Sequence, residues 1–284
     1  MSSRRARLAE AVMKGLMLLS AVVVLGSLFL ILGTVIWRGL PAMNLAMLTQ
    51  SPKGGYYLGK EGGILNAILG SLCLAIGGTA IAMVIALPIA LWLQIYGGRS
   101  RSANLVRLAL DVLWGVPSIV YGVFGFLVML GLGLRASLLG GIITLALLEL
   151  PIMVRGMDEA LAMVPGALKE ASYAMGATRL ETALRVVLRQ TGPALLTAVL
   201  LAFGRGIGDA ASVLFTAGYT DRLPTSLLRP VASLPLAVFF QLATPFPAVQ
   251  QRAYASALIL TIIVLLTSLI SRRLTRRMTK HIVR

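Results

Sequence analysis

The amino-acid sequence predicts an all-α, polytopic membrane protein with six transmembrane helices and both termini in the cytoplasm. Three observations carry that expectation. Of 284 residues, 58% are hydrophobic and only 13% charged, with a mean hydropathy of +0.89. That is about half the charge of a soluble domain, and more apolar side chain than one water-soluble core absorbs. The apolar residues gather into six stretches of about the length a bilayer crossing needs, ~20 residues. The 26 Lys and Arg, against 10 Asp and Glu for a net charge of +16, fall mostly in alternate connections, the pattern of loops retained on the positive side during insertion.

The first span runs from 15 to 37. Arg4, Arg5, Arg7 and Lys14 precede it as they would a signal peptide, but the apolar run is too long for one and no small-residue cleavage site follows, so it reads as a retained span. The second, 64 to 96, exceeds what a crossing requires and is expected to tilt or project, with Pro88 a plausible kink. The third, fourth, fifth and sixth are 106 to 130, 137 to 154, 192 to 217 and 253 to 271. A seventh apolar patch, Val231 to Ala243, is too short to cross and reads as an interfacial or re-entrant helix. The chain thus divides into a basic cytoplasmic N-terminus (1–14), a six-helix transmembrane domain (15–272) and a basic cytoplasmic tail (273–284). Within the domain lie a cytoplasmic loop at 155–190 and an outer loop at 218–252.

Orientation follows from the basic residues. Eighteen lie on the side of the termini, including Arg99, Arg101, Arg107 and the loop at 155–190; seven, among them Lys53 and Lys60, lie on the other. Topology and attraction to anionic lipid headgroups account for this basicity, so no nucleic-acid partner is expected. Cys73 is alone, which excludes an internal disulfide and a cysteine metal site. His281 is alone in a charged tail, and no set of nucleophile, base and orienting group is apparent, so the chain is not expected to be an enzyme.

The 155–190 loop has internal order. Pro165 can open a helix with Leu168, Ala171, Ser172 and Met175 on one face and Lys169, Glu170 and Tyr173 on the other. Gly176 sits where a C-terminal cap belongs. Thr178-Arg179-Leu180-Glu181 has capping-box spacing. The helix it starts carries an apolar stripe of Leu180, Ala183, Leu184, Val187 and Leu188, with Arg185 and Arg189 facing away. By pattern alone this helix-turn-helix could simply lie on headgroups.

The run Glu170-Ala171-Ser172, then Gly176, then Val186 and Leu188 resembles the EAA loop of ABC importer permeases, written E-A-A-x3-G-x9-I-x-L-P. Ser172, Val186 and Arg189 depart from it, and without the final Pro the second helix is free to continue into the fifth span. Gly115 to Gly122, Leu150 to Arg155, Phe203 to Asp209 and Leu234 to Ala255 are similar to the permease subunits of phosphate ABC importers of the PstA type, in matching order over roughly 62 to 272. The resemblance implies a MetI-like permease fold in a bacterial inner membrane. It further implies docking of Glu170, Ala171, Ser172 and Gly176 onto an ATPase subunit, and a second permease chain as heterodimer partner. The remaining implied partners are two ATP-binding subunits, an external phosphate-binding protein and inorganic phosphate. The chain has no G-x-x-x-x-G-K-[ST] loop, so no cofactor is expected in it and ATP and Mg belong to the partner subunits.

Charges at membrane depth are the site candidates. Arg205 and Asp209, four residues apart in the fifth span, are expected to share a helical face, with Gly204, Gly206 and Gly208 leaving room for a close neighbour. A guanidinium suits phosphate oxygens. A carboxylate can accept a hydrogen bond from a protonated phosphate oxygen, which sulfate lacks. The plainer possibility is a lock between helices, although buried pairs are poor stabilisers. Arg155, where the fourth span ends, is an exit-side anion contact or an inside-positive anchor. Asp111 is expected to pair with Arg107 one turn earlier, and Glu149 has no evident partner in the chain. The alternatives are an ABC permease for sulfate, molybdate or an amino acid, a secondary transporter and a membrane scaffold.

Overall fold

The computed structural model describes residues 3–53, 62–98 and 100–278; Lys60, Arg99 and His281 lie outside them. Among the described residues every regular element is helical. α1 (Ser3–Gly39) runs without a break through the basic N-terminal segment and the first apolar stretch. A short α2 (Leu45–Thr49), capped by Asn44, leads towards α3 (Leu65–Trp92), which holds Pro88 and continues as a wide π turn over Leu93–Gly97. α4 (Arg101–Trp114), α5 (Ser118–Gly131) and α6 (Leu138–Ala162) follow. Then come α7 (Gly166–Ala174), α8 (Arg179–Glu181) and, through a second π turn over Thr182–Val187, α9 (Leu188–Ile207). α10 (Leu234–Leu242) and α11 (Pro247–Met278) complete the chain.

Among the described residues, five helical segments are long and apolar enough to cross a membrane: Ala6–Ala42, Leu65–Gly97, Leu138–Ala162, Arg179–Ile207 and Pro247–Thr275. The predicted third span, 106 to 130, is not one straight helix. α4 and α5 meet at 101°, because Gly115-Val116-Pro117 breaks the helix and proline disfavours α geometry in the residue before it. With 14 residues, α5 is about 21 Å long, short of a hydrocarbon core of about 30 Å. Taken together as one bent span, the two bring the candidate crossings to six.

The predicted fifth span also ends early. Helical geometry stops at Ile207, and 208–233 is irregular up to the start of α10. Asp209 starts the break by accepting the Ser212 N–H through Oδ2 at 2.8 Å, a local bond that competes with helix. Irregular backbone at such depth survives only where protein satisfies its polar groups. Here Thr216 C=O accepts from Ser137 N–H (2.8 Å), Thr220 C=O from Asn66 Nδ2 (2.7 Å), and Leu234 N–H donates to Ser71 Oγ (2.7 Å). α10 is the short helix expected at 231–243, and its Leu234, Pro235, Leu236 and Ala237 are buried in the bundle.

α6 is the central helix. In its most apolar stretch 67% is buried, against 0% for α1. Its Met153, Val154 and Met157 pack on Ala82, Ala86 and Ala90 of α3 and on Ala198 and Ala202 of α9. Lipid is as apolar as these side chains, so close packing of small residues, not escape from water, holds the helices. α1 touches the bundle at its end, where Gly39 lies against the Tyr254 backbone and Arg38 stacks 5.4 Å from the Tyr254 ring.

Candidate functional site

The loop between α6 and α9 folds as the predicted hairpin. Gly176 has φ +82°, a conformation glycine adopts without strain. Its N–H donates to Tyr173 C=O (2.9 Å) and that of Ala177 to Ser172 C=O (3.2 Å), the double closure of a Schellman cap. The Thr178 capping box is complete: Glu181 N–H donates to Thr178 Oγ1, and Glu181 Oε2 accepts from the Thr178 N–H and hydroxyl at 2.9 and 2.8 Å. Those two donors hold the Glu181 carboxyl below the ordinary glutamate value. Ser172 and Thr182 join the hairpin arms at 2.9 Å.

The hairpin's apolar face is only half used. Ala183 and Val187 are buried, but Leu180 and Leu184 of the expected stripe are exposed, as are Met163 (79%) and Met175 (88%). The π turn over Thr182–Val187 shifts the helical phase, so a stripe drawn at even spacing does not stay on one side. Glu170, Ala171 and Gly176 are exposed and Ser172 is half-buried. A recess of about 320 Å³ lies between the arms, lined by Ser172, Met175, Gly176, Ala177, Glu181, Arg185 and Val186.

At the far end of α9, Arg205 Nη1 donates to Asp209 Oδ1 at 3.0 Å. The pair forms as expected, although Asp209 lies beyond the helix end. The two ends differ in access: the Asp209 side chain is 3% exposed and the Arg205 side chain 47%. Asp209 therefore anchors, with both oxygens engaged, while the guanidinium keeps an open side. Of the three glycines, only Gly206 makes a close approach; a Cβ there would meet Glu149 Oε1, whereas Gly204 has open space. Glu149 is fully buried and faces inward, with Thr79 Oγ1 donating to Oε2 at 2.8 Å and no partner on Oε1. Hydropathy marked Glu149 as unusual, but its contacts join three helices and left no trace in sequence spacing.

The expected Arg107–Asp111 pairing is not what forms. Arg107 Nε donates to Asp158 Oδ2 at 2.8 Å, and Asp111 Oδ1 lies 2.9 Å from Arg155 Nε. α4 lies along α6, and contacts between the two helices displace the pairing within one. Asp158, one turn beyond Arg155, was missed; it is 4% exposed and also accepts from Gln94 Nε2 at 2.7 Å. Among the described residues no group of three or more His, Cys, Asp or Glu side chains comes together as metal ligands would.

A bundle of crossing helices with a broken span, an ordered hairpin between two crossings and an Arg–Asp pair at membrane depth defines a membrane transport component. Comparison with known proteins sharpens that class. Residues 86–282 match the family described as the binding-protein-dependent transport system inner membrane component. The phosphate transport system permease protein PstA of Haemophilus influenzae is 34% identical over 260 residues, covering 92% of this chain and 91% of that protein. PstA of Xylella fastidiosa is 34% identical over 86% of this chain and 84% of its own length. PstA 1 of Mycobacterium tuberculosis is 34% identical over 92% and 85%. Among solved structures, an inward-facing MetNI methionine ABC transporter chain superposes with a TM-score of 0.63 at 20% identity, covering 75% of this chain and 95% of its own. A chain of a bacterial alginate ABC transporter does so with 0.59 at 15% identity, covering 98% and 100%. At such identities the likeness concerns the fold. The chain belongs to the binding-protein-dependent transport permease family: it is an inner-membrane, multi-pass permease subunit of an ABC importer, not an enzyme. Such a subunit works with a partner permease, ATPase subunits and a substrate-binding protein.

Proposed function

We propose that this chain imports phosphate, forming the translocation pathway with a second, different permease chain and being driven by two ATPase subunits that hold ATP and Mg. Phosphate arrives from an external phosphate-binding protein. The termini and the hairpin face the cytoplasm in this reading, as the positive-inside bias requires. The hairpin docks on an ATPase subunit through Glu170, Ala171, Ser172 and Gly176, surrounded by the exposed Met163, Met175, Leu180 and Leu184. An apolar patch rimmed by charge is what an uncovered protein interface presents.

The observation that carries the substrate assignment is the half-exposed Arg205 guanidinium beside an anchored carboxylate, in a chain whose relatives named above are phosphate permeases. Arg205 contacts the anion, and Asp209, buried with both oxygens engaged, holds the Arg205 guanidinium in place. Arg155 is the exit-side contact, available as Asp111 releases it. The test is uptake into proteoliposomes holding the full complex. ATP-dependent accumulation of labelled phosphate, undiminished by excess sulfate, is expected. Phosphate uptake driven by an ion gradient without ATP, or equal uptake of sulfate, would refute the assignment.

A further inference from the structure

We infer that Asp158 is a positioning residue that transmits hairpin motion to the broken span, through a two-rung charge ladder between α4 and α6. The ladder is built antiparallel. Arg107 and Asp111 are one turn apart on α4; Asp158 and Arg155 are one turn apart on α6. Arg107 meets Asp158 at 2.8 Å and Asp111 meets Arg155 at 2.9 Å, so each helix presents one cation and one anion to the opposite charges of the other. Arg155 Nη1 also lies 4.0 Å from Asp158 Oδ2, which joins the rungs.

Asp158 gathers a third element as well. Gln94, in the π turn that ends α3, donates to its carboxylate at 2.7 Å and to its backbone carbonyl at 3.2 Å. Arg107 donates in addition to the carbonyls of Leu93 and Gly98. The end of α3, the middle of α4 and the last turns of α6 are therefore fastened at one buried carboxylate, four residues before α6 ends at Ala162 and gives way, through Met163, Val164 and Pro165, to α7. On its other side α4 leads through Gly115-Val116-Pro117 into α5 at 101°. A displacement of the hairpin that moves the end of α6 carries α4 with it, and the sharp bend converts that movement into a swing of α5. Ion pairs suit such a joint because they have discrete made and broken arrangements.

The inference rests on the proposed coupling to ATPase subunits, and its test reads phosphate imported per ATP hydrolysed in the reconstituted complex. Asp158→Asn keeps the size of the side chain and removes the charge that Arg107 and Arg155 face. We expect the complex to assemble and hydrolyse ATP while the ratio falls about fivefold, within the range by which residues in coupling networks act. Asp158→Glu is expected to restore most of it. An unchanged ratio in Asp158→Asn overturns the inference. Should that variant fail to assemble, Asp111→Asn and Arg107→Gln decide the matter. One joint predicts that the double variant is no worse than the worse single, and multiplied losses overturn it. A wild-type complex without ATP-driven uptake would refute the functional proposal instead, before any ladder variant is compared.

Discussion

Replacing Gly206 with alanine tests the crossing of α6 and α9 at its tightest point. The new Cβ would fall within bonding distance of Glu149 Oε1 and 2.9 Å from Glu149 Cδ, with Leu145 Cδ2 at 3.4 Å behind. Glu149 is fully buried and held by Thr79, so it cannot swing into solvent. Overpacking of this kind costs about 1–3 kcal/mol, and breaking the Thr79 bond to make room adds about 1 kcal/mol. Helix propensity returns about 0.5–1 kcal/mol for glycine to alanine. The net is a loss of about 1–3 kcal/mol. Gly204 supplies the control, because a Cβ there meets nothing within 4 Å and only the propensity gain remains, about 0.5–1 kcal/mol. Chemical denaturation of the purified complex in detergent should therefore separate the two variants by about 2–4 kcal/mol in opposite directions. Glu149→Ala should relieve much of the Gly206→Ala defect. Equal stability of the two glycine variants would refute the close approach.

Arg205→Ala should reduce phosphate uptake at least tenfold, a cost of about 1.4 kcal/mol or more, while the complex still assembles; surviving uptake would make the pair a structural lock. Gly176→Ala forces a side chain into a left-handed conformation at about 1–2 kcal/mol, and should weaken co-purification of the ATPase without preventing membrane insertion. The Glu181 carboxyl is held below its ordinary value, so its capping contribution is present at neutral pH and is lost as pH falls through that depressed value. Hydrogen exchange across Thr178 to Thr182 should accordingly rise only as pH falls below the ordinary glutamate range, and Thr178→Ala should abolish that pH dependence.

The crossings that hydropathy located well are those whose helices run unbroken: α1, α3, α6 and α11. The third and fifth were misjudged for the same physical reason, since an apolar window averages over a break. Gly115-Val116-Pro117 is a helix-breaking sequence inside an otherwise continuous apolar run, and Asp209 with Ser212 redirects the chain through a side-chain bond that no periodicity reveals. Local chemistry was readable at the hairpin, where cap and capping box involve residues three to five apart. It failed at Asp111, because a partner one turn away on the same helix was outcompeted by Arg155 on another. Glu149 was recognisable as out of place, but Thr79 stands 70 residues away from it, and only the packing of α3 on α6 brings the two together.

Arg205 occupies the last turn of α9, the end at which a helix carries partial negative charge. With Asp209 at 3.0 Å, its own charge is already largely spoken for. An anion arriving there would meet enough attraction to shed some of its water and too little to be detained. Conduction demands that balance, since a site that binds firmly empties slowly. The acidic neighbour, which looks at first like a hindrance to anion passage, would shorten the dwell time of the cargo and so set how fast it can leave.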